Sequence, residues 1–409
     1  MKGNHFFLFA LRNIFRHRAR SAATLAAISI GVASLILAGG FVKDIFIQLG
    51  EAIIHSQTGH LQITRQGYQE GKIRAPEKFL VERSADLKVE VVKNVPDVEI
   101  ITSRLSFVGT LNNGKRDLGV VGEGIEADLE KEIGTYLQFV AGRPLNKTDL
   151  DGMVIGQGVA KNLDLKVGDR VTLLATLAQG AVNTMDFEVV GIFQSFSKDF
   201  DARAIRITLP SSQTLMDTSA VHMLVVVLQK TETTAKAAIK IQQMLSGRLF
   251  DTAAWSNISD FYEKTVELYD RQFGVLRLII LVMVLLSVAN TINMSLFERT
   301  REFGTMKAIG DRTNDIFKLI IAESLCLGLL GAFFGMLLGT VAGFAISAIG
   351  IPMPPPPNAN LGYLAQIRLD AFSVISAGAI GFIACVLGSI SPASRASRLD
   401  IGEALRHGV

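Results

Sequence analysis

The chain has 409 residues, 49% of them hydrophobic and only 19% charged, whereas an ordinary soluble domain carries roughly 25% charged residues. A net charge of +3 gives no case for nucleic acid, and a mean hydropathy of +0.35 argues against a purely cytosolic globular protein. The two cysteines, Cys326 and Cys385, both lie in apolar runs, which excludes a disulfide framework and a multi-cysteine metal site.

Four uncharged apolar runs dominate the sequence: Ser21 to Val42, Leu278 to Phe297, Ser324 to Ile351 and Ala371 to Ser394. Each is long enough to cross a hydrocarbon core as a helix, which takes about 20 residues. Residues 1–20 carry Lys2, Arg12, Arg16, Arg18 and Arg20 and no acid. A charged leader of that length makes the first run an uncleaved anchor rather than a signal peptide. From Gly3 to Arg16 the leader reads as a cytoplasmic amphipathic helix, with Phe7, Ala10, Leu11 and Ile14 on one face against membrane lipid.

Basic residues also cluster in the 298–318 loop (Arg299, Arg301, Lys307, Arg312, Lys318) and in the tail 395–409 (Arg395, Arg398, Arg406). The positive-inside bias therefore puts both termini and that loop in the cytoplasm, and the long stretch 43–277 outside. This predicts a membrane protein of four transmembrane helices with a large α+β extracytoplasmic domain inserted between helices 1 and 2. The first span with its stalk covers 21–54, and the outer domain covers 55–255.

Within the outer domain, Gly59 to Arg65 reads as a strand and Ala85 to Asn94 as a helix stopped by Pro96. A strand region Val98 to Leu111 leads to Asn113-Gly114, a hairpin-turn pair. Met153 to Ile155, Val171 to Ala175, Phe187 to Phe193 and Val221 to Leu228 read as further strands. Val159 to Leu163 and Ala235 to Leu245 read as helices. The expected arrangement is a base of about 55–95 and 220–255 carrying an inserted β-rich subdomain of about 98–215.

Tyr262, Val266, Tyr269, Phe273, Leu276 and Ile280 step by four and three, the seam spacing of a coiled coil. With Ser259 as N-cap, one helix is expected to run from Ser259 to Phe297 within the stalk and second span at 256–297. A coupling helix then occupies 298–314, followed by the third span at 315–350. The outer loop 351–370 contains Pro354 to Pro357, read as a rigid polyproline II rim. The fourth span covers 371–394.

No catalytic constellation emerges. Gly109 to Lys115 matches a P-loop through its lysine, but Arg116 stands where a Ser or Thr must hold Mg²⁺. The six histidines show no metal spacing. No catalytic, cofactor or metal residues are assigned. Asn290 and Asn293 share one face of the second span, and Glu323 opens the third; these three are read as packing or dimer-seam residues. Gly328, Gly331, Gly335, Gly339 and Gly343 recur at a spacing that allows close helix approach.

The segment Glu298 to Gly310 is the most specific in the chain. Its Glu298, Arg299, Arg301, Glu302, Gly304, Ala308 and Gly310 resemble the coupling region of the FtsX/MacB-type permeases, membrane subunits of mechanotransmitting ABC transporters. Ala10-Leu11-Arg12-Asn13, Ile30-Gly31-Val32-Ala33 and Val154-Ile155-Gly156 with Gly168-Asp169 also resemble that family. The resemblance implies that Glu298, Arg299, Arg301, Glu302, Phe303, Gly304, Lys307 and Gly310 dock two copies of an ABC ATPase subunit, which would bind ATP and Mg²⁺. It also implies a second permease, identical or homologous, in the bacterial inner membrane, and leaves room for a periplasmic carrier or adaptor. The lack of a fused ATPase in the sequence brings it nearest the lipoprotein-releasing LolC/LolE-like branch. The competing expectations are an FtsX-like signalling scaffold and an adaptor-dependent efflux permease.

Overall fold

The computed structural model describes residues 18–72, 74–177, 179–354 and 362–398, with side chains from residue 21 onward. The amphipathic leader, Pro355 to Pro357 of the polyproline segment, and Arg406 of the tail lie outside the described residues. Two compact units emerge, one from 18–46, 266–352 and 364–398, the other from 47–265 and the ends of 353–363.

The first unit is a helical bundle. Helix α1 (Arg18–Ile53) crosses both units in sequence. The second unit separates it in sequence from the remaining long helices. These are α7 (Asp260–Glu298), α8 (Thr300–Ala308), α9 (Thr313–Ile349) and α10 (Ala371–Ser397). Segments of α1, α7, α9 and α10 are long and apolar enough to span a bilayer. Helix α7 is continuous for 39 residues, roughly 58 Å at the α-helical rise, and Gly274 does not break it.

Small residues bring α1 and α9 together. A Cβ on Gly335 would lie 2.9 Å from the Ser29 carbonyl oxygen and 3.0 Å from its Cα, and one on Gly339 would lie 3.0 Å from the Cα of Ala33. Ser29 Oγ then donates to the Gly331 carbonyl at 3.1 Å. Gly328 faces Cys385 of α10, so the glycine spacing of the third span serves two neighbours. At the other end of α1, fully buried Asp44 accepts from Arg368 Nε and from the Gln366 backbone N–H, both at 2.9 Å.

The second unit holds one ten-stranded mixed sheet. Its strands are β1 (Leu61–Arg65), β2 (Val98–Asn112), β3 (Asp117–Ile125), β4 (Gln138–Gly142), β5 (Gly152–Gly156), β6 (Arg170–Thr176), β7 (Val182–Gln194), β8 (Ala204–Thr208), β9 (Met223–Leu228) and β10 (Phe250–Ala254). Helices α2 (Ser84–Asn94), α3 (Ala127–Ile133), α4 (Gln157–Leu163), α5 (Leu209–Leu215) and α6 (Thr234–Met244) lie between them. The path runs β10-β1-β9-β2-β3-β8-β5-β7-β4, with β6 bridging β2 and β7.

The expected boundary between base and insertion, near residue 97, is not a break in this sheet. Strand β2 is 15 residues long. Its first half pairs with β9, and its second half pairs with β3 and β6. One strand therefore belongs to both parts, and each part has its own core. Leu61, Ile63, Val91, Leu224 and Ile241 fill the base; Phe107, Leu173, Phe187, Ile205 and Ile207 fill the β-rich part.

Candidate functional site

Helix α7 ends at Glu298, and Arg299 leaves helical geometry at φ −99°, ψ 8° before α8 begins. A cationic side chain at a bend facing the bundle must be paired or leave its charge exposed to a medium that solvates it poorly. Arg299 is buried, and its guanidinium meets three partners. Nε donates to Glu302 Oε2 at 3.0 Å, Nη1 reaches both Glu323 oxygens at 3.0 and 2.8 Å, and Cζ lies 5.0 Å from the centre of the Phe303 ring. Burial alone would lower the Arg299 pKa. The carboxylates, Glu323 first, outweigh it and leave the group more firmly charged than an ordinary arginine.

Phe303 is fully buried among Leu296, Ile316, Ile320 and Ala396, so α8 is anchored on the bundle by its apolar edge. Its far end closes with a Schellman pair: Gly310 N–H donates to the Lys307 carbonyl and Asp311 N–H to that of Met306, both at 3.0 Å. Gly310 holds φ +112°, a conformation an L side chain rarely adopts.

The residues singled out in the sequence thus separate into two sets. Arg299, Glu302, Phe303 and Glu323 come together as an internal lock, with Gly304 buried beside them. Glu298, Arg301 and Gly310 are exposed, and Lys307 is half-buried. Ile309, which was not singled out, is 82% exposed at the tip of the turn; an isoleucine immediately before the left-handed glycine was the available signal. Glu323, on α9, pairs with Arg299 at the bend between α7 and α8. Asn290 is exposed and Asn293 half-buried on α7, and neither side chain has a hydrogen-bond partner among the described residues.

A second polar cluster was missed altogether. Arg104 of β2 and Arg206 of β8 are buried, and both grip the single π-helical turn Ile54–Thr58 that follows α1. Arg104 donates to the Gln57 carbonyl, and Arg206 Nη2 to that of Ser56 at 2.9 Å. Two carboxylates balance the pair. Glu130 takes Arg104 in a two-pronged bond at 2.7 and 2.8 Å, and Glu123 takes Arg206 Nε at 3.1 Å. Cations at a helix C-terminus satisfy its orphan carbonyls and complement its dipole. The sequence signal was a charged residue at an inward position of an otherwise apolar strand, as in Ala204-Ile205-Arg206-Ile207.

The MacB-like periplasmic core domain matches residues 21–244, more than half of the chain, and the FtsX-like permease C-terminal domain matches 274–401. The chain belongs to the MacB/FtsX family of ABC transporter permeases. An uncharacterized ABC transporter permease of Methanocaldococcus jannaschii is 25% identical over 427 residues, covering 99% of this chain and 98% of its own. A macrolide export ATP-binding/permease protein MacB of Campylobacter jejuni is 26% identical over 374 residues, 86% of this chain but 55% of that one. The lipoprotein-releasing system transmembrane protein LolE of Haemophilus influenzae is 20% identical over 324 residues, 76% of this chain and 78% of its own. The chain therefore spans about half the length of the macrolide-export relatives. Among solved structures, the periplasmic region of MacB from Actinobacillus actinomycetemcomitans aligns with 53% of this chain and 95% of its own, at 14% identity and a TM-score of 0.37. As a family member, the protein is a multi-pass inner-membrane permease with its large periplasmic domain between the first and second spans.

Proposed function

We propose that this permease relays ATP hydrolysis on a separate cytoplasmic ATPase subunit to its periplasmic domain, and so releases lipoproteins or other amphiphiles from the membrane. The observation that carries the reading is the Arg299 lock. It fixes α8 to α9 through Glu323 and to the bundle through Phe303, and leaves Arg301 and Ile309 exposed on the turn. A rigid, charged turn with one apolar knob is suited to receive a motor and pass on its displacement. Both termini and this turn face the cytoplasm on the positive-inside argument. ATP and Mg²⁺ belong to two copies of the ATPase subunit.

A second permease, identical or homologous, covers the α7 face on which Asn290 lacks a hydrogen-bond partner among the described residues, since an amide facing lipid is costly without one. Helix α1 passes without a break into the turn gripped by Arg104 and Arg206, which supports mechanical relay. The LolE relative supports the lipoprotein side of the reading.

The test is co-purification with the ATPase subunit after Ile309→Asp combined with Arg301→Ala, which leaves the Arg299 lock intact. ATPase recovery should fall at least tenfold with an unchanged melting temperature; full recovery would sink the docking assignment. In proteoliposomes holding both subunits, a triacylated lipopeptide should stimulate ATP turnover. Stimulation by a macrolide alone would move the substrate to efflux.

A further inference from the structure

A cavity of about 390 Å³ opens in the periplasmic domain beside α3 and β4, within the usual range of about 300–1,000 Å³ for small-molecule sites. Leu137, Phe139, Leu145, Val154 and Phe193 make its walls apolar. Its polar floor consists of Glu130 and Arg206, both buried.

These two floor residues differ in what they have left to offer. Both Glu130 oxygens are occupied by Arg104. Arg206 spends Nε on Glu123 and Nη2 on the Ser56 carbonyl, but its Nη1 has no hydrogen-bond partner among the described residues. The guanidinium carbon lies 6.0 Å from the centre of the Phe193 ring, so its remaining N–H donors border the apolar wall. Lys131 adds a second cation at the mouth, where Nζ donates to Asn146. Counting Arg104, Arg206 and Lys131 against Glu123 and Glu130, the surroundings carry an excess of one positive charge.

We propose that this cavity binds a small amphiphilic carboxylate, with its apolar chain against Phe139 and Val154 and its carboxylate accepting from Arg206 Nη1. Nη1 is a guanidinium donor left without an acceptor among the described residues where Arg206 lines the cavity, and a carboxylate offers it a charge-assisted bond, roughly twice as strong as a neutral one. A cationic head would meet Arg206 and Lys131, with both Glu130 oxygens already taken. The site is independent of the coupling turn, so either reading can fail without the other.

The test uses the full-length chain in lipid nanodiscs, with carboxyl-labelled octanoate followed by NMR and empty nanodiscs as the background. One saturable site per chain is expected, competed by decanoate and not by octylamine. Leu137→Trp fills the cavity and should weaken octanoate at least tenfold. Arg206→Gln should weaken octanoate while leaving octanol unchanged. No saturation above the empty nanodiscs, equal competition by octylamine, or unchanged affinity in Leu137→Trp would each overturn the proposal. If Leu137→Trp melts early, Thr135→Trp at the mouth is read by the same criteria.

Discussion

Arg299 Nη1 holds both oxygens of Glu323, at 3.0 and 2.8 Å, across the bend that joins α7 to α8. The pair closes a loop of 24 residues between the end of α7 and the third span. Any push on α8 therefore reaches α9 directly as well as through the chain.

Glu323→Ala removes the stronger of two acids from a buried guanidinium. Breaking a buried pair on one side costs about 3–5 kcal/mol, and the lower end applies here because the Glu323 side chain is 15% exposed. The melting temperature in detergent should drop clearly for Glu323→Ala and less for Glu323→Gln, which keeps an acceptor. The double change Arg299→Met with Glu323→Leu should recover much of the loss. If Glu323→Ala melts like the parent, the lock contributes nothing to stability.

Two glycines in long helices should respond in opposite directions. A Cβ at Gly335 meets the backbone of Ser29 at 2.9 and 3.0 Å, so Gly335→Val must push α1 and α9 apart, an overpacking cost of about 1–3 kcal/mol. Gly274 in α7 has nothing among the described residues within 4 Å of its Cβ position, and Gly274→Ala should gain about 0.5–1 kcal/mol from helix propensity. Both changes are read from thermal unfolding of the purified chain. A neutral Gly335→Val would mean that the close approach of α1 and α9 is not maintained in solution.

The contrast between those glycines marks how far sequence reasoning reached. The spacing of Gly331, Gly335 and Gly339 was legible because helical periodicity is local. The four spans, the continuous α7 and the Ser259 cap, whose Oγ accepts from Tyr262 N–H at 3.3 Å, were legible for the same reason. The partner of Glu323 was not, because Arg299 lies 24 residues away and nothing local encodes that pairing. Nor does anything local encode the pairing of Arg368 with Asp44, which are 324 positions apart. Strands β3, β4, β8 and β10 were also missed, being short or glycine-interrupted segments whose pairing comes from the sheet. The base and the insertion it carries share β2, since a strand can change partners halfway along without any break in its own sequence.

The clasp on the π turn makes a separate prediction. Arg104 is fully buried and engages Glu130, Glu123 and the Gln57 carbonyl. Arg104→Met strands Glu130 as an uncompensated buried carboxylate, whose charge Arg104 otherwise supports against burial. The change should cost about 3–5 kcal/mol and abolish ATPase stimulation by substrate before it abolishes binding of the ATPase subunit. Arg104→Met paired with Glu130→Leu should restore the melting temperature. If the pair does not restore stimulation as well, the hold on the turn itself is required.

His60 supplies a pH dependence with a definite sign. Its Nδ1 accepts from Leu228 N–H at 3.1 Å, so Nε2 carries the proton and donates to Thr231 Oγ1, also at 3.1 Å. Thr231 in turn donates to Glu51 at 2.6 Å, and the His55 ring stands 5.8 Å away, edge-on. Protonating Nδ1 would set two donors against each other. Burial first, and the neighbouring His55 second, hold the His60 pKa down at about 4 from an ordinary 6.5, against a weaker upward pull from Glu51. Because the folded-state value is depressed, the unfolded chain binds the proton first as pH falls. Stability is therefore full above about pH 6.5 and declines toward pH 4, by about 3 kcal/mol if His60 acts alone. His60→Gln keeps an acceptor for Leu228 and a donor for Thr231 but cannot titrate. Its melting temperature should fall less between pH 7.5 and 4.5 than that of the parent chain. Identical slopes for the two would assign the acid sensitivity to other groups, because the only ionisation removed by the substitution is that of His60.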